Sequence, residues 1–371
     1  MSTTQTPRVH DAAHSGHHRA GPSVAGSRRR CHTLAPARRR KQPAAGVPRH
    51  TRSHVSSARV GVALCLVVGA GLSADQADAG VGATPSSRTF RIGTALLDYC
   101  GNGSVTHKVG SVRRVVFVVH GSSGNYCDYA RYAMDAAEGA GVLGSTLVVA
   151  PFFRTDPAAS GDPHLTWGSG WREGDLSTNV EGPRVSSFAA VDQLAGAVRQ
   201  TFGPGVRLVI AGHSAGGQLV QRYAEGSDAP FAAFVPMNPS SYAYLGAQRW
   251  PGTTTLDTVA GCPGYNSWKY GLEDLNTYMS GQGGIRARYA GHRVALLLGS
   301  ADTERDADLD TGCSAEAQGR NRLDRGQRFH DHLAAQLGSQ PAGHTLAVVP
   351  GVGHDGRSMI GSAAARAVLF Q

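Results

Sequence analysis

The first sixty residues hold one carboxylate, Asp11, against 12 lysines and arginines, and they show no apolar periodicity. Without spaced apolar side chains such a segment cannot bury enough surface to offset the entropy of ordering, so a disordered leader is expected over 1–59. Acidic residues are scarce only there. From Gly80 onward 24 Lys and Arg face 24 Asp and Glu, so the formal net charge of +9 belongs to the leader. The charge therefore gives no ground for a nucleic-acid partner. Apolar runs of membrane-spanning length are missing as well. Val60 to Leu72 is a run of 13 residues, short of the roughly 20 that cross a bilayer. It has the length of a signal-peptide core, with Arg59 before it and Ala77-Asp78-Ala79 as a small-x-small cleavage pattern after it. A signal region over 60–79, a mature chain beginning near Gly80 and a secreted or periplasmic location are expected, with no stable membrane insertion after cleavage. Leu64 ahead of Cys65 argues against lipidation, and an uncleaved signal-anchor is the alternative. The basic stretch before Arg59 exceeds a signal peptide's usual leading region, which points to a start codon placed too far upstream or to an extended leader.

No internal repeat is visible, and 80–371 is read as one domain, long enough for a substantial core. It carries Cys100, Cys127, Cys262 and Cys313. An even set fits an oxidising compartment, and three pairings are open.

The chain is organised around Val206 to Ala224, VRLVIAGHSAGGQLVQRYA. Leu208, Val209 and Ile210 form a short apolar run of the kind a central parallel strand needs. Gly212 and Gly216 flank Ser214 at minus two and plus two, where a side chain would clash in a sharp strand-to-helix turn. Leu219, Val220 and Tyr223 then recur at helical spacing. The amide of Ala215 falls at a helix N-terminus, where negative charge is favoured.

With its flanking strand and helix, this Gly-x-Ser-x-Gly turn resembles the α/β-hydrolase superfamily, esterase and lipase branch. The resemblance implies an eight-stranded, mostly parallel sheet with helices on both faces, and a Ser, acid, His order along the chain. It implies a second oxyanion amide after the third strand, which here falls on Ser122 in His120-Gly121-Ser122-Ser123-Gly124, beside that of Ala215. It favours Cys100 pairing with Cys127 and Cys262 with Cys313, as segments the superfamily topology places side by side. It places the triad acid after the seventh strand, at Asp302, with Asp306, Asp308 and Asp310 as rivals. His354, in the loop after the last strand, completes Ser214, Asp302, His354. His213 is read as packing or hydrogen-bonding locally.

In order, a first strand is expected over Thr89 to Tyr99 and a buried one over Val112 to Val119. A helix follows over Tyr126 to Ala140, then a strand over Leu147 to Ala150. Phe188, Val191, Leu194, Val198 and Phe202 mark a helix over Ser187 to Phe202. Ala232 to Met237 reads as the sixth strand, and 245–292 as a lid-like insertion. Arg293 to Leu298 reads as the seventh strand, Arg320 to Leu337 as a helix, Thr345 to Val349 as the last strand and Met359 to Phe370 as a closing helix. Asp306, Asp308 and Asp310 have a calcium-loop look, but Gly312 comes one position late and Ala317 stands where a bidentate Glu is needed. No metal and no cofactor are expected.

These residues point to a serine hydrolase of carboxylic esters. A peptidase or acyltransferase with the same triad, or a non-catalytic binding protein of this fold, are the alternatives. The four tryptophans lie in two long excursions, Trp167 and Trp171 in the polar, Gly-rich Pro151 to Glu181 and Trp250 and Trp268 in 245–292, and are read as substrate-binding. Flat rings at a site's mouth suit a short-chain, aromatic or polymeric ester. The sequence gives no reading of oligomeric state.

Overall fold

The computed structural model describes residues 80–250 and 256–371. The leader and the signal region lie outside the described residues. Eight strands are β1 (Ser86–Ile92), β2 (Ala95–Gly101), β3 (Arg114–Val119), β4 (Thr146–Pro151), β5 (Arg207–His213), β6 (Ala233–Met237), β7 (Val294–Gly299) and β8 (His344–Val349). They make one sheet in the order β1-β2-β4-β3-β5-β6-β7-β8. The β1–β2 and β2–β4 pairs are antiparallel and the other five are parallel.

The expected strand from Thr89 to Tyr99 is corrected to a hairpin. Gly93 takes φ +61°, and with Thr94 it forms a two-residue turn that pairs Ile92 with Ala95. The alternation on either side reads as one strand because the turn carries no Pro or Asn.

The helices are α1 (Tyr126–Gly139), α2 (Ser187–Phe202), α3 (Ala215–Gly226), α4 (Thr277–Ser280), α5 (Ile285–Gly291), α6 (Cys313–Glu316), α7 (Arg322–Leu337), α8 (Gly356–Gly361) and α9 (Ala363–Leu369). The expected closing helix over Met359 to Phe370 is thus two helices. Ser362 has extended backbone and its hydroxyl accepts from the Ala365 amide, capping α9 and ending α8.

Period-two alternation along the central strands supplies both faces of the sheet. Val115, Phe117, Leu208, Ile210 and Leu296 face the layer holding Phe188 and Leu194 of α2, Leu219 of α3 and Phe329 of α7. Val116, Val118, Val209, Val235 and Leu297 face Ala133 and Met134 of α1, Ile360 of α8 and Leu369 of α9. Each such buried side chain contributes about 1.5–3 kcal/mol relative to exposure. The parallel strands all end on the edge where Ser214, Asp302 and His354 follow.

Cys100 is bonded to Cys127 and Cys262 to Cys313, the pairing the resemblance favours. The first joins β2 to α1 and the second joins the 245–292 insertion to α6. Within the insertion Arg249 is fully buried. Its guanidinium donates to the carbonyls of Gly246 (2.6 Å), Tyr265 (3.2 Å) and Tyr270 (2.9 Å), and lies 4.0 Å from the Tyr244 ring centroid. One cation thereby gathers three separate turns of the insertion. Arg249→Ala leaves the Gly246 and Tyr265 carbonyls without this donor, while the Tyr270 carbonyl keeps the Tyr244 amide, and is expected to cost about 2–5 kcal/mol. Limited proteolysis checks this by new nicks within 245–292, and an unchanged digest with an unchanged melting temperature sinks it.

Candidate active site

β5 delivers Ser214 into a turn that the rest of the chain is shaped to accept. Ser214 has φ 58° and ψ −116°, a conformation costing an L-residue roughly 1–3 kcal/mol. A Cβ on Gly212 would run into the Gly216 backbone, and one on Gly216 would run into the Val119 and His120 carbonyls. Neither can be larger than glycine while β5 lies beside β3 in this register, where Val119 pairs with Gly212.

The loops after β7 and β8 bring the other two groups. His354 Nε2 is 2.8 Å from Ser214 Oγ, and His354 Nδ1 is 2.8 Å from Asp302 Oδ2. Asp302 is 1% exposed, so its charge acts through little water. Two of the three rival aspartates are engaged elsewhere, and none of the three contacts His354. Asp306 accepts two hydrogen bonds from Arg322, which hold its carboxyl below the usual carboxylate range. Asp310 accepts from the Tyr270 hydroxyl at 2.6 Å. Asp308 is exposed and lines the cleft.

The loop after β3 lies against the nucleophile, since a Cβ on Gly121 would sit 3.8 Å from Ser214 Cβ. Among the described residues, neither the Ser122 nor the Ala215 amide donates to a protein acceptor, so both are free for an anion. Buried His120 holds this loop from behind. Its Nδ1 is 2.7 Å from the Gly121 carbonyl and its Nε2 accepts from the Phe153 amide at 3.0 Å. That arrangement selects the neutral ring with the proton on Nδ1, and burial pulls its pKa down to about 4.

His213 packs locally, as its sequence position suggests. Its ring lies 4.7 Å from that of His354 and its Nδ1 is 3.0 Å from the Tyr129 hydroxyl. Burial, then the charges of His354 and Arg322, hold its pKa well below the usual value. His332 is lowered to about 3 and His292 and His344 are lowered too, each chiefly by burial.

Because the folded values lie below the unfolded one, the unfolded chain takes up these protons first. The associated stability is fully present above about pH 6.5 and drains as pH falls through the folded values, about 3 kcal/mol for His120 alone. The melting temperature should fall between pH 7 and pH 5, and His332→Leu should flatten that fall. A melting temperature constant across this range contradicts the assignment of neutral buried rings.

The expected role of the tryptophans is corrected. Trp167 and Trp171 are each 2% exposed and belong to the core. Trp171 stacks on Phe153 at 5.2 Å and lies 4.9 Å from the His120 ring, so it backs the loop after β3 from inside. Trp167 Nε1 donates to the Val185 carbonyl at 2.8 Å. Trp268 and Trp250 are half-buried and donate to the Glu173 and Arg328 carbonyls. Excursion residues carry no signal of which rings turn inward; here the Trp167 and Trp171 rings both pack against Phe153 in the core. None of the four lines the cleft at Ser214, which has a volume of about 240 Å³ and is walled by Ser122, Ser123, Asn125, Tyr129, Asp308 and Asp355. A larger cleft of about 350 Å³ lies within the insertion at Val259 to Glu273 and contains none of these groups.

Sequence reasoning missed Asn238. It is fully buried with φ 45°; its Oδ1 accepts from the Gly299 amide at 2.8 Å and its Nδ2 donates to the Gly353 carbonyl at 3.2 Å. One amide side chain thus ties together the two loops that carry Asp302 and His354. An Asn directly after an apolar strand, tolerant of the left-handed region, was the available signal.

The sequence matches no protein-family model and no curated protein. Among solved structures, the chain is similar to a poly(3-hydroxybutyrate) depolymerase from Bordetella parapertussis. The identity is 24% over 76% of this chain and 90% of that one, with a TM-score of 0.56. It is also similar to poly(aspartic acid) hydrolase-1 from Sphingomonas sp. KT-1, at 23% identity over 78% of this chain and 100% of that one, with a TM-score of 0.59.

Proposed function

From the premise that this chain has the α/β-hydrolase fold, we propose that it is a serine hydrolase of carboxylic esters acting through an acyl-enzyme. The observation that carries this reading is the unbroken line Ser214 Oγ, His354 Nε2, His354 Nδ1, Asp302 Oδ2, with both contacts at 2.8 Å. His354 takes the Ser214 proton as Oγ attacks the carbonyl carbon. The oxyanion that forms accepts from the Ser122 and Ala215 amides, preorganised donors that need no rearrangement. His354 then gives its proton to the leaving alkoxide. Water, deprotonated by the same ring, releases the acid. Asp302 fixes the histidine tautomer and stabilises the imidazolium, and the mechanism calls on no cofactor.

The substrate reading moves from the tryptophans to the cleft. Its wall of serines, Asn125, Tyr129, Tyr132 and two aspartates holds no aliphatic side chain, which fits a short-chain, aromatic or polymeric ester better than a long acyl chain. The basic leader and the apolar run of 60–72 read from the sequence, together with two disulfides, support a secreted or periplasmic enzyme. Esters of C2 to C16 acids and an oligomeric polyester, assayed with Ser214→Ala as control, test the proposal. Turnover is expected to be fastest on C2 to C4; faster turnover on C12 to C16 rejects the substrate reading. Absence of all turnover and of fluorophosphonate labelling at Ser214 rejects the hydrolase and favours a binding protein. Preferential peptide cleavage or acyl transfer to an added alcohol favours the alternative chemistries.

A further inference from the structure

The acid of the proposed triad is only half accounted for. Asp302 Oδ2 faces His354, but Asp302 Oδ1 is buried with no hydrogen-bond donor among the described residues. A buried carboxylate oxygen left without a donor or a countercharge is costly. The cation nearest to it is Arg322, whose Nη1 lies 3.6 Å away and whose side chain is 0% exposed. Arg322 is the first residue of α7, and the next amide, that of Leu323, donates to the Asp302 backbone carbonyl at 3.3 Å.

The guanidinium is itself fixed from two other sides. It donates to Asp306 through Nη1 at 2.9 Å and Nη2 at 2.7 Å, and through Nε to Ser240 Oγ at 3.2 Å. A planar fork held by a bidentate carboxylate has one orientation. Its remaining positive face is directed at Asp302. We propose that Arg322 is a positioning residue for the reaction: clamped by Asp306 and Ser240, it sets the place and charge of Asp302 and through it the behaviour of His354. The inference rests on the serine-hydrolase reading above.

The charged and titratable groups around His354 give the sign of the effect. Asp302 faces it directly, neutral His213 packs on it from β5, Tyr129 approaches from α1, and Asp308 and Asp355 lie at the cleft. Arg322 and Asp306 stand behind Asp302. Arg322→Gln removes the one cation of this set, so the imidazolium is better stabilised and the acid limb of kcat/KM moves to higher pH by about one unit. Asp306→Asn removes an anion, and the acid limb moves to lower pH. Simple structural damage would not move the two variants in opposite directions.

The test compares pH profiles, kcat and KM of wild type, Arg322→Gln, Arg322→Lys and Asp306→Asn on p-nitrophenyl acetate, with circular dichroism for folding. Arg322→Gln is expected to lower kcat about 10- to 100-fold with KM within about threefold. Arg322→Lys keeps the charge without the fork, so it should restore the acid limb while kcat recovers only in part. If Arg322→Gln does not fold, Asp306→Asn decides alone, because its carboxylate is 36% exposed and its loss leaves the buried cation in place. Active, folded variants whose acid limbs stay at the wild-type pH overturn the role of Arg322 and leave the hydrolase reading intact. A wild-type protein that neither turns over esters nor labels at Ser214 overturns both.

Discussion

Ser214→Ala is expected to lower kcat/KM on p-nitrophenyl acetate by about three to six orders of magnitude while leaving the melting temperature unchanged. The size follows from the site acting as a unit. Without Oγ there is no acyl-enzyme, and what remains is whatever the Ser122 and Ala215 amides do for direct attack by water. The unchanged stability follows from the backbone, because alanine at φ 58° and ψ −116° is strained as much as serine. Ser214→Gly separates the two effects. It should be equally inactive yet melt about 2 °C higher, since glycine adopts these angles without the penalty. A folded Ser214→Ala protein with wild-type turnover removes the nucleophile assignment altogether.

The second large effect is Asp302→Asn, for which a decrease in kcat of about ten-thousandfold is expected. An amide at this position can present its NH₂ to His354 Nδ1, which selects the tautomer that carries its proton on Nε2. That ring cannot accept the Ser214 proton. Asp308→Asn and Asp310→Asn should stay within about tenfold of wild type, because His354 Nδ1 is paired with Asp302 and neither of these carboxylates contacts it. Steady-state kinetics on the three proteins decide the matter. A loss at Asp308 or Asp310 as large as that at Asp302 would falsify the assignment of the acid.

Much of this site is legible in the residues themselves, and the parts that are not have physical reasons. Ser214 announces itself because a turn this tight tolerates only glycine at 212 and 216, so geometry is written into the sequence. Asp302 and His354 come from the resemblance, which expects an acid and a histidine after the seventh and last strands; strand ends alone leave Asp306, Asp308 and Asp310 open. Arg322 is invisible by comparison: an arginine opening a polar helix reads as solvated, and only tertiary packing turns it toward a carboxylate. The tryptophans fail for the converse reason. Trp167 and Trp171 sit in a stretch without periodicity, and nothing local distinguishes a ring that lines a cleft from one that fills a core beneath it. The Gly93 turn and the Ser362 break are likewise short-range events, each made by one or two residues inside an otherwise continuous pattern.

The bond between Cys262 and Cys313 closes a covalent ring, and the ring's membership matters. β7 and Asp302 lie inside it, while Ser214 and His354 lie outside. Two of the three proposed catalytic groups therefore reach the site by the chain's path alone, and the third rides on a segment whose freedom oxidation removes. Closing a loop with a sequence separation of 51 withdraws about 4 kcal/mol of chain entropy from the unfolded ensemble. Reduction of this bond restores that entropy to the unfolded chain, so the reduced protein is expected to melt at a lower temperature and to lose its acid's place first on heating.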